Sequence, residues 1–198
     1  FPFSLFQIYL AKFLAAILFF LFSLLLFVSP SVFCWIYFGG KIVLSEISWL
    51  ILGYFLYGVL AIAVAFFSAS VFNIQTSASI LALSIMLFSW FVDFGKDMYI
   101  SDFLLLIDKW SLTNLIKVFE EGILDVGILL DFLIFILFFF ALGYLGFRAD
   151  LSLKKKLFLG LFLSFVFVLS LYFTDFVNVR RDITASRRNS FPENRELF

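Results

Sequence analysis

Histidine is absent from the chain, and cysteine occurs once, at Cys34. Without imidazole there is no histidine ligand for haem or copper, no Ser–His catalytic pair and no histidine proton relay. A single thiol forms no internal disulfide and by itself makes no metal site. We therefore interpret Cys34 as a packing residue and expect no cofactor in this chain.

Charge is also scarce, because only 14% of the residues are charged and the formal net charge is zero. A chain without a basic surplus gives no reason to expect a nucleic-acid partner. The one glycine-rich stretch before a lysine, Gly39-Gly40-Lys41, lacks the spaced upstream glycine and the following Ser or Thr of a phosphate loop. The sequence therefore predicts no nucleotide-hydrolysing activity, and we expect the protein not to be an enzyme.

Apolar residues occupy most of the remaining sequence: 64% of the 198 residues are hydrophobic. About half is normal for a soluble domain, whereas about 20 consecutive apolar residues cross the roughly 30 Å of bilayer hydrocarbon as a helix. Five runs approach that length. They cover residues 13–33, 47–72, 77–94, 126–147 and 157–173. The sequence therefore predicts an all-α polytopic membrane helix bundle with about five transmembrane helices in a lipid bilayer.

The second and third runs are separated only by the polar turn 73–76, which predicts an antiparallel helical hairpin. On the second run, Ala61, Ala65 and Ala69 are spaced by four and share one helical face. Ala78 and Ala82 continue the pattern on the third run. Small side chains let helices approach closely in lipid. We therefore expect this face to contact another helix.

Two other features interrupt the apolar runs. Pro30, between two serines, is expected to kink or stop the first helix. Residues 93–127 combine returning charges with apolar residues at helical spacing, which predicts short amphipathic helices at the membrane interface rather than a full span.

Asp131 lies about one turn inside the fourth run. A carboxylate that faces lipid near the bilayer centre is costly, so intramembrane acids usually face a cavity, a partner or the interface. Two interpretations remain open. Asp131 is either a polar lining or ion site, or it faces the headgroups through water, and we favour the second.

Five crossings divide the basic residues between two sides. Lys12 and the loop 148–156, with Arg148 and three lysines, lie on one side. The other side has the arginines after residue 179 together with four lysines, Lys41, Lys96, Lys109 and Lys117. Short loops weigh most in the positive-inside rule, which favours a cytoplasmic loop 148–156. The arginines of the tail argue the reverse, unless they lead into a large exported domain.

Four stretches resemble known families. Residues 9–16, read Tyr-Leu-Ala-Lys-Phe-Leu-Ala-Ala and preceded by Pro2 and Ser4, resemble the start of the third span of ABC-2-type transporter permeases. That family commonly has Gly-Lys where this chain has Ala11-Lys12. Residues 53–75 resemble its fourth span and cytoplasmic turn, and residues 119–132 resemble the start of its last span. The tail, with Arg-Asp-Ile-Thr at 181–184 and Ser-Phe-Pro at 190–192, resembles a gliding-motility-type auxiliary subunit.

The resemblance implies a division of the chain into two parts. Residues 1–148 would be a partial ABC-2 permease domain without the first two spans of the family. Residues 149–198 would be a basic loop, a further transmembrane helix and the start of an extracytoplasmic auxiliary domain. The first residue is Phe, and we expect the natural start to lie upstream.

The resemblance also implies partners. It predicts half of an exporter in the bacterial cytoplasmic membrane, paired with a second permease half and with a separate ABC ATPase that binds ATP. With loop 148–156 in the cytoplasm, we expect the ATPase to contact Pro2, Gln7, Asn73 and Gln75. The alternative is a non-transporting membrane scaffold that anchors an extracytoplasmic assembly. A proton- or quinone-linked respiratory subunit ranks last, because Asp131 is the only acid placed deep in a span.

Overall fold

The computed structural model describes residues 4–38, 44–97, 111–174 and 180–182. Within these ranges the chain forms α1 (Leu5–Tyr37), α2 (Leu44–Val71), α3 (Gln75–Asp97), α4 (Leu112–Glu120), β1 (Ile123–Asp125), α5 (Val126–Phe147), α6 (Leu153–Thr174) and β2 (Arg180–Asp182). Five of these helices, all except α4, are long and apolar enough to cross a membrane. The predicted all-α bundle of five spans is confirmed, and two three-residue strands are added to it.

The first span begins earlier and ends later than its apolar run predicted. Ser4 and Gln7 form a capping box, in which each side chain bonds the backbone N–H of the other, so the helix begins before Lys12. Pro30 does not stop the helix, which continues to Tyr37. Proline lacks the N–H that would bond the carbonyl of Leu26, and the Ser29 hydroxyl donates to that carbonyl instead, at 3.3 Å.

Helix α2 is the centre of the bundle and packs most extensively against α5. The side chains of Leu60, Ala63, Val64 and Ser68 on α2 are completely buried, and Phe132 of α5 is equally buried beside them. Ser68 satisfies its hydroxyl within α2 by donating to the carbonyl of Val64 at 2.9 Å. The hydrophobic core therefore lies along one face of α2, the pattern of a helix that buries one side against its neighbours.

Two ends of the bundle follow from the antiparallel order of the helices. We call one the basic end, which contains the start of α1, the α2–α3 turn and the loop between α5 and α6. We call the other the strand end, where β1 and β2 pair antiparallel with Ile123 opposite Asp182. The chain after α6 therefore lies at the end opposite to the loop between α5 and α6.

Helix α4 lies within the predicted amphipathic segment, residues 93–127. Its apolar stripe, with Leu112, Leu115 and Phe119, is buried against α2 and α3. Gly122 follows it with a φ of 72°, a left-handed conformation that ends the helix and directs the chain into β1. The segment is thus a short helix, as predicted, but it packs on the bundle. Residues 93–97 of the predicted segment are the last residues of α3, and residues 98–110 lie outside the described residues.

Helices α1 and α6 are peripheral. On α1 only Tyr9 and Phe13 are buried, whereas Phe27 is 80% exposed. On α6 only Leu171 and Thr174 are buried. Exposed phenylalanines at this density match a surface that faces lipid acyl chains, because apolar side chains lose nothing there.

Candidate functional site

The basic end is stabilised by close contact of α1, α2 and α5. Gly143 of α5 lies against the backbone of Phe67 on α2 and against the ring hydroxyl of Tyr9 on α1. That hydroxyl donates to the carbonyl of Phe140 at 3.3 Å. The three helices therefore meet directly at this end of the bundle.

The residues predicted to contact an ATPase divide into two groups at this end. Gln7 is exposed in the first turn of α1, but its amide oxygen accepts the Ser4 N–H at 2.9 Å, so it also begins the helix. Asn73 lies in the turn between α2 and α3, Gln75 begins α3, and both are exposed. Pro2 lies outside the described residues.

The alanine face of α2 lines a groove of about 700 Å³ between α2 and α3. Ala65 and Ala69 are exposed in the groove, and Ala78 and Ala82 line it from the opposite side. Asn73 and Gln75 lie at its basic end. Within this chain α2 buries a different face, the one with Leu60 and Ala63. Contact of Ala61, Ala65 and Ala69 with a further helix stays a prediction.

The loop between α5 and α6 concentrates positive charge. Arg148 donates to both carboxylate oxygens of Asp150, at 3.1 and 2.5 Å, and this hydrogen bond holds the pKa of Asp150 below its ordinary value. The pairing is therefore complete at neutral pH and is lost as the pH falls through that lowered pKa. The ammonium of Lys156 donates to the carbonyl of Gly146 at 2.9 Å, which places a cation at the carboxyl end of α5.

Asp131 is buried, with 5% of its surface exposed, and does not face the headgroups through water as we favoured. The Thr174 hydroxyl lies 2.6 Å from Asp131 Oδ1 and 2.7 Å from the carbonyl of Leu171. Thr174 is the last residue of α6 and lies beside the first turns of α5. The Asp131 carboxylate is therefore hydrogen-bonded within the protein. Asp131 therefore links α5 to α6 at the strand end.

Replacing Thr174 with valine removes this hydroxyl from a buried carboxylate. We expect the free energy of unfolding to fall by about 1–3 kcal/mol, the usual cost of a lost buried hydrogen bond. Thermal unfolding in detergent micelles measures the change, and Thr174→Ser is the matched control because it keeps the hydroxyl. Equal stability of the valine and serine variants would contradict a linking role for this bond.

The strand end is closed by α4 and the aromatic residues beneath it. Phe119 is stacked on Trp49, with ring centroids 4.7 Å apart, and occupies the space left by the missing side chain of Gly53. Trp49 Nε1 donates to the carbonyl of Ile123 at 2.8 Å, and the Tyr54 hydroxyl donates to Glu120 at 2.8 Å. The sequence alone did not show that Trp49 and Phe119 contact each other, since both belong to long apolar patterns.

The start of α4 is attached to α3 by two hydrogen bonds. The Ser111 hydroxyl donates to the carbonyl of Ser89 at 3.1 Å, and the Leu112 N–H donates to the Ser89 hydroxyl oxygen at 2.7 Å. Ser89 thus supplies the N-terminal cap that Ser111 does not. Both ends of α4 are therefore held by transmembrane helices.

No family model, curated protein or solved structure matches this chain. In the part of the chain that the structure describes, no group of three carboxylate or thiol side chains is placed to hold a metal ion. The candidate functional features are therefore the exposed polar turns and the positive charge at the basic end, and the helix α4 that covers the strand end.

Proposed function

We propose that this chain is the membrane-spanning permease part of an ATP-driven ABC-2-type exporter of the bacterial cytoplasmic membrane, linked to surface export or gliding motility. ATP would be bound and hydrolysed by a separate ATPase, and a second permease half would complete the transporter. The observation that carries the proposal is the position of Gln7, Asn73 and Gln75. All three are exposed at the basic end, where the loop between α5 and α6 is also found.

Charge supports a cytoplasmic position for that end. Among the described residues, the basic end carries Lys12, Arg148, Lys154, Lys155 and Lys156 against Asp150. An excess of lysine and arginine in short loops is typical of the cytoplasmic side. A soluble ATPase in the cytoplasm would therefore encounter the exposed start of α1 and the α2–α3 turn.

Close packing supports transmission of a displacement from that contact. Tyr9 of α1, Phe67 of α2 and Gly143 of α5 meet directly, so movement of the α1 start moves α2 and α5 as well. Nucleotide shifts the equilibrium between two arrangements only if the ATPase binds one of them more tightly. The proposal therefore requires a nucleotide-dependent affinity of the ATPase for this end.

The test is whether a cytoplasmic ABC ATPase co-purifies with the unchanged chain and with the double variant Asn73→Ala/Gln75→Ala. We expect ATPase binding to be lost while membrane insertion and thermal stability stay unchanged, since both side chains are exposed. The control is Ser45→Ala/Ser48→Ala, two exposed polar residues at the strand end of α2. Normal capture of the ATPase by the Asn73/Gln75 variant would refute the contact.

One observation favours the alternative, a non-transporting scaffold for an extracytoplasmic assembly. The chain after α6 pairs with β1 through β2, so whatever follows residue 182 is attached to the start of α5 and not only to α6. A scaffold needs such a fixed attachment and needs no nucleotide. Identical crosslinking between α1 and α5 with and without nucleotide, in the presence of the ATPase, would favour the scaffold.

A further inference from the structure

An apolar cavity of about 280 Å³ lies between α3 and α6 near the strand end. Val64 of α2 and Phe139 of α5 form its floor, and Leu112 of α4 closes it at the strand end. Its side walls are Ile85 on α3 and Phe167 on α6. Phe167 is held in place by Phe138, stacked on it with ring centroids 4.2 Å apart. The aromatic side wall on α6 is therefore packed against α5.

The mouth of the cavity opens sideways, towards the surface of the bundle. Phe88 on α3 and Val168 on α6 line it and are 64% and 48% exposed. Both residues belong to candidate membrane spans, so the medium at the mouth is hydrocarbon rather than water. An apolar cavity of about half this size, lined by similar residues, stays dry and binds small hydrocarbons.

The size of the cavity limits what can enter it. It extends along α3 from Ile85 to Val92, which is about 10 Å at the 1.5 Å rise of a helix. One turn of a helix with side chains, about 10 Å wide and 5.4 Å long, fills on the order of 400 Å³. One turn of a helix is therefore larger than the cavity, whereas a single hydrocarbon chain is thin enough to enter it.

The polar groups of the cavity lie only at its strand end. Ser89 accepts from the Leu112 N–H, but among the described residues its hydroxyl hydrogen has no acceptor. In the sequence, Asp93 follows one turn later on α3, and the adjacent Trp90 is 51% exposed. Exposed tryptophan next to the first charge is typical of the membrane interface. Ser89 therefore lies just below the headgroups, where the ester groups of lipids are found.

We propose that this cavity binds one acyl chain of a bilayer phospholipid, which enters between α3 and α6. The chain occupies the space between Ile85 and Phe167, and its ester carbonyl accepts a hydrogen bond from the Ser89 hydroxyl. The bound acyl chain thereby fills the cavity next to the first residues of α4. This site does not depend on the proposed export function and can be tested without an ATPase.

The experiment uses the full chain in vesicles of phosphatidylcholine that contain a small share of the same lipid with a photoreactive diazirine in one acyl chain. After illumination, peptide mass spectrometry locates the labelled residues. We expect labelling to be enriched on residues 85–92 of α3 and 167–171 of α6 over the exposed lipid-facing surface of α1. Even labelling of all exposed spans would overturn the proposal, because it indicates ordinary annular lipid only.

Two variants fill the cavity. Ile85→Trp fills it from the wall and Val168→Trp from the mouth, where a large side chain is tolerated because its neighbours are lipid. Each should remove most of the enriched labelling on the opposite wall. Leu87→Trp is the matched control, since Leu87 is 44% exposed on the same helix and does not line the cavity. Thermal unfolding of each variant confirms that the bundle is folded.

Two further results would contradict the proposal. Unchanged labelling of residues 167–171 in a folded Ile85→Trp variant, or of residues 85–92 in a folded Val168→Trp variant, would place the lipid elsewhere. Crosslinking of residues 85–92 to a second polypeptide, with the lipid label absent from them, would show that a protein covers the mouth instead.

Discussion

Gly143→Leu is expected to separate α2 from α5 and to lower the free energy of unfolding by about 3 kcal/mol, at the upper end of the usual cost of overpacking. A Cβ at this position would lie 3.1 Å from the backbone nitrogen of Phe67 and 3.2 Å from its Cα. Backbone atoms of α2 cannot rotate away as a side chain can. The Tyr9 hydroxyl also approaches this point, so its bond to the carbonyl of Phe140 would be lost as well.

Thermal unfolding in detergent micelles, or in nanodiscs, measures this effect. Gly160→Leu is the matched control, because a Cβ at Gly160 on α6 meets nothing within 4 Å. The control should unfold at the temperature of the unchanged protein. Equal losses for the two variants would mean that leucine acts through the helix backbone alone and that α2 and α5 do not touch at Gly143.

Phe119→Ala is expected to release α4 from the bundle. The ring is 1% exposed, lies against Trp49 and packs edge-on against Phe132 with centroids 5.8 Å apart. Its removal leaves a cavity that the long helices α2 and α5 cannot close, and large core truncations of this kind cost about 3 kcal/mol or more. We expect faster hydrogen exchange in residues 112–120, with little change in the centre of α2.

Hydrogen exchange of the protein in nanodiscs checks this prediction helix by helix. Phe158→Ala removes the same group from α6, where Phe158 is 71% exposed, and should leave the exchange of α4 unchanged. Unaltered exchange in residues 112–120 of the Phe119 variant would refute the role of this ring as the anchor of α4.

The number and approximate position of the spans could be predicted from the sequence because hydrocarbon thickness sets a minimum apolar length. The first and last residues of the helices were less predictable. Lys12 lies inside α1, since the helix begins at Leu5, after the capping box that Ser4 forms with Gln7. Pro30 lies inside it too, since the Ser29 hydroxyl satisfies the carbonyl that proline leaves without a partner.

The α2–α3 hairpin could be predicted from its short turn, but the other helix neighbours could not be predicted from one sequence. Ala61, Ala65 and Ala69 share a face by periodicity, but periodicity does not show which helix covers a face, and here they line a groove. Asp131 was placed correctly near the end of its span. Its partner Thr174 lies 43 residues away on α6, and only the packing of α6 against α5 brings the two together.

The arrangement of the five spans is tested most directly by cysteine labelling in intact cells that express the chain. In a Cys34→Ser background, Ser152→Cys reports the basic end and Glu121→Cys the strand end; both positions are exposed. A membrane-impermeant maleimide should label Glu121→Cys in intact cells and Ser152→Cys only after permeabilisation. Equal labelling of both positions in intact cells, or labelling of Ser152→Cys alone, would contradict the topology on which the proposed function depends.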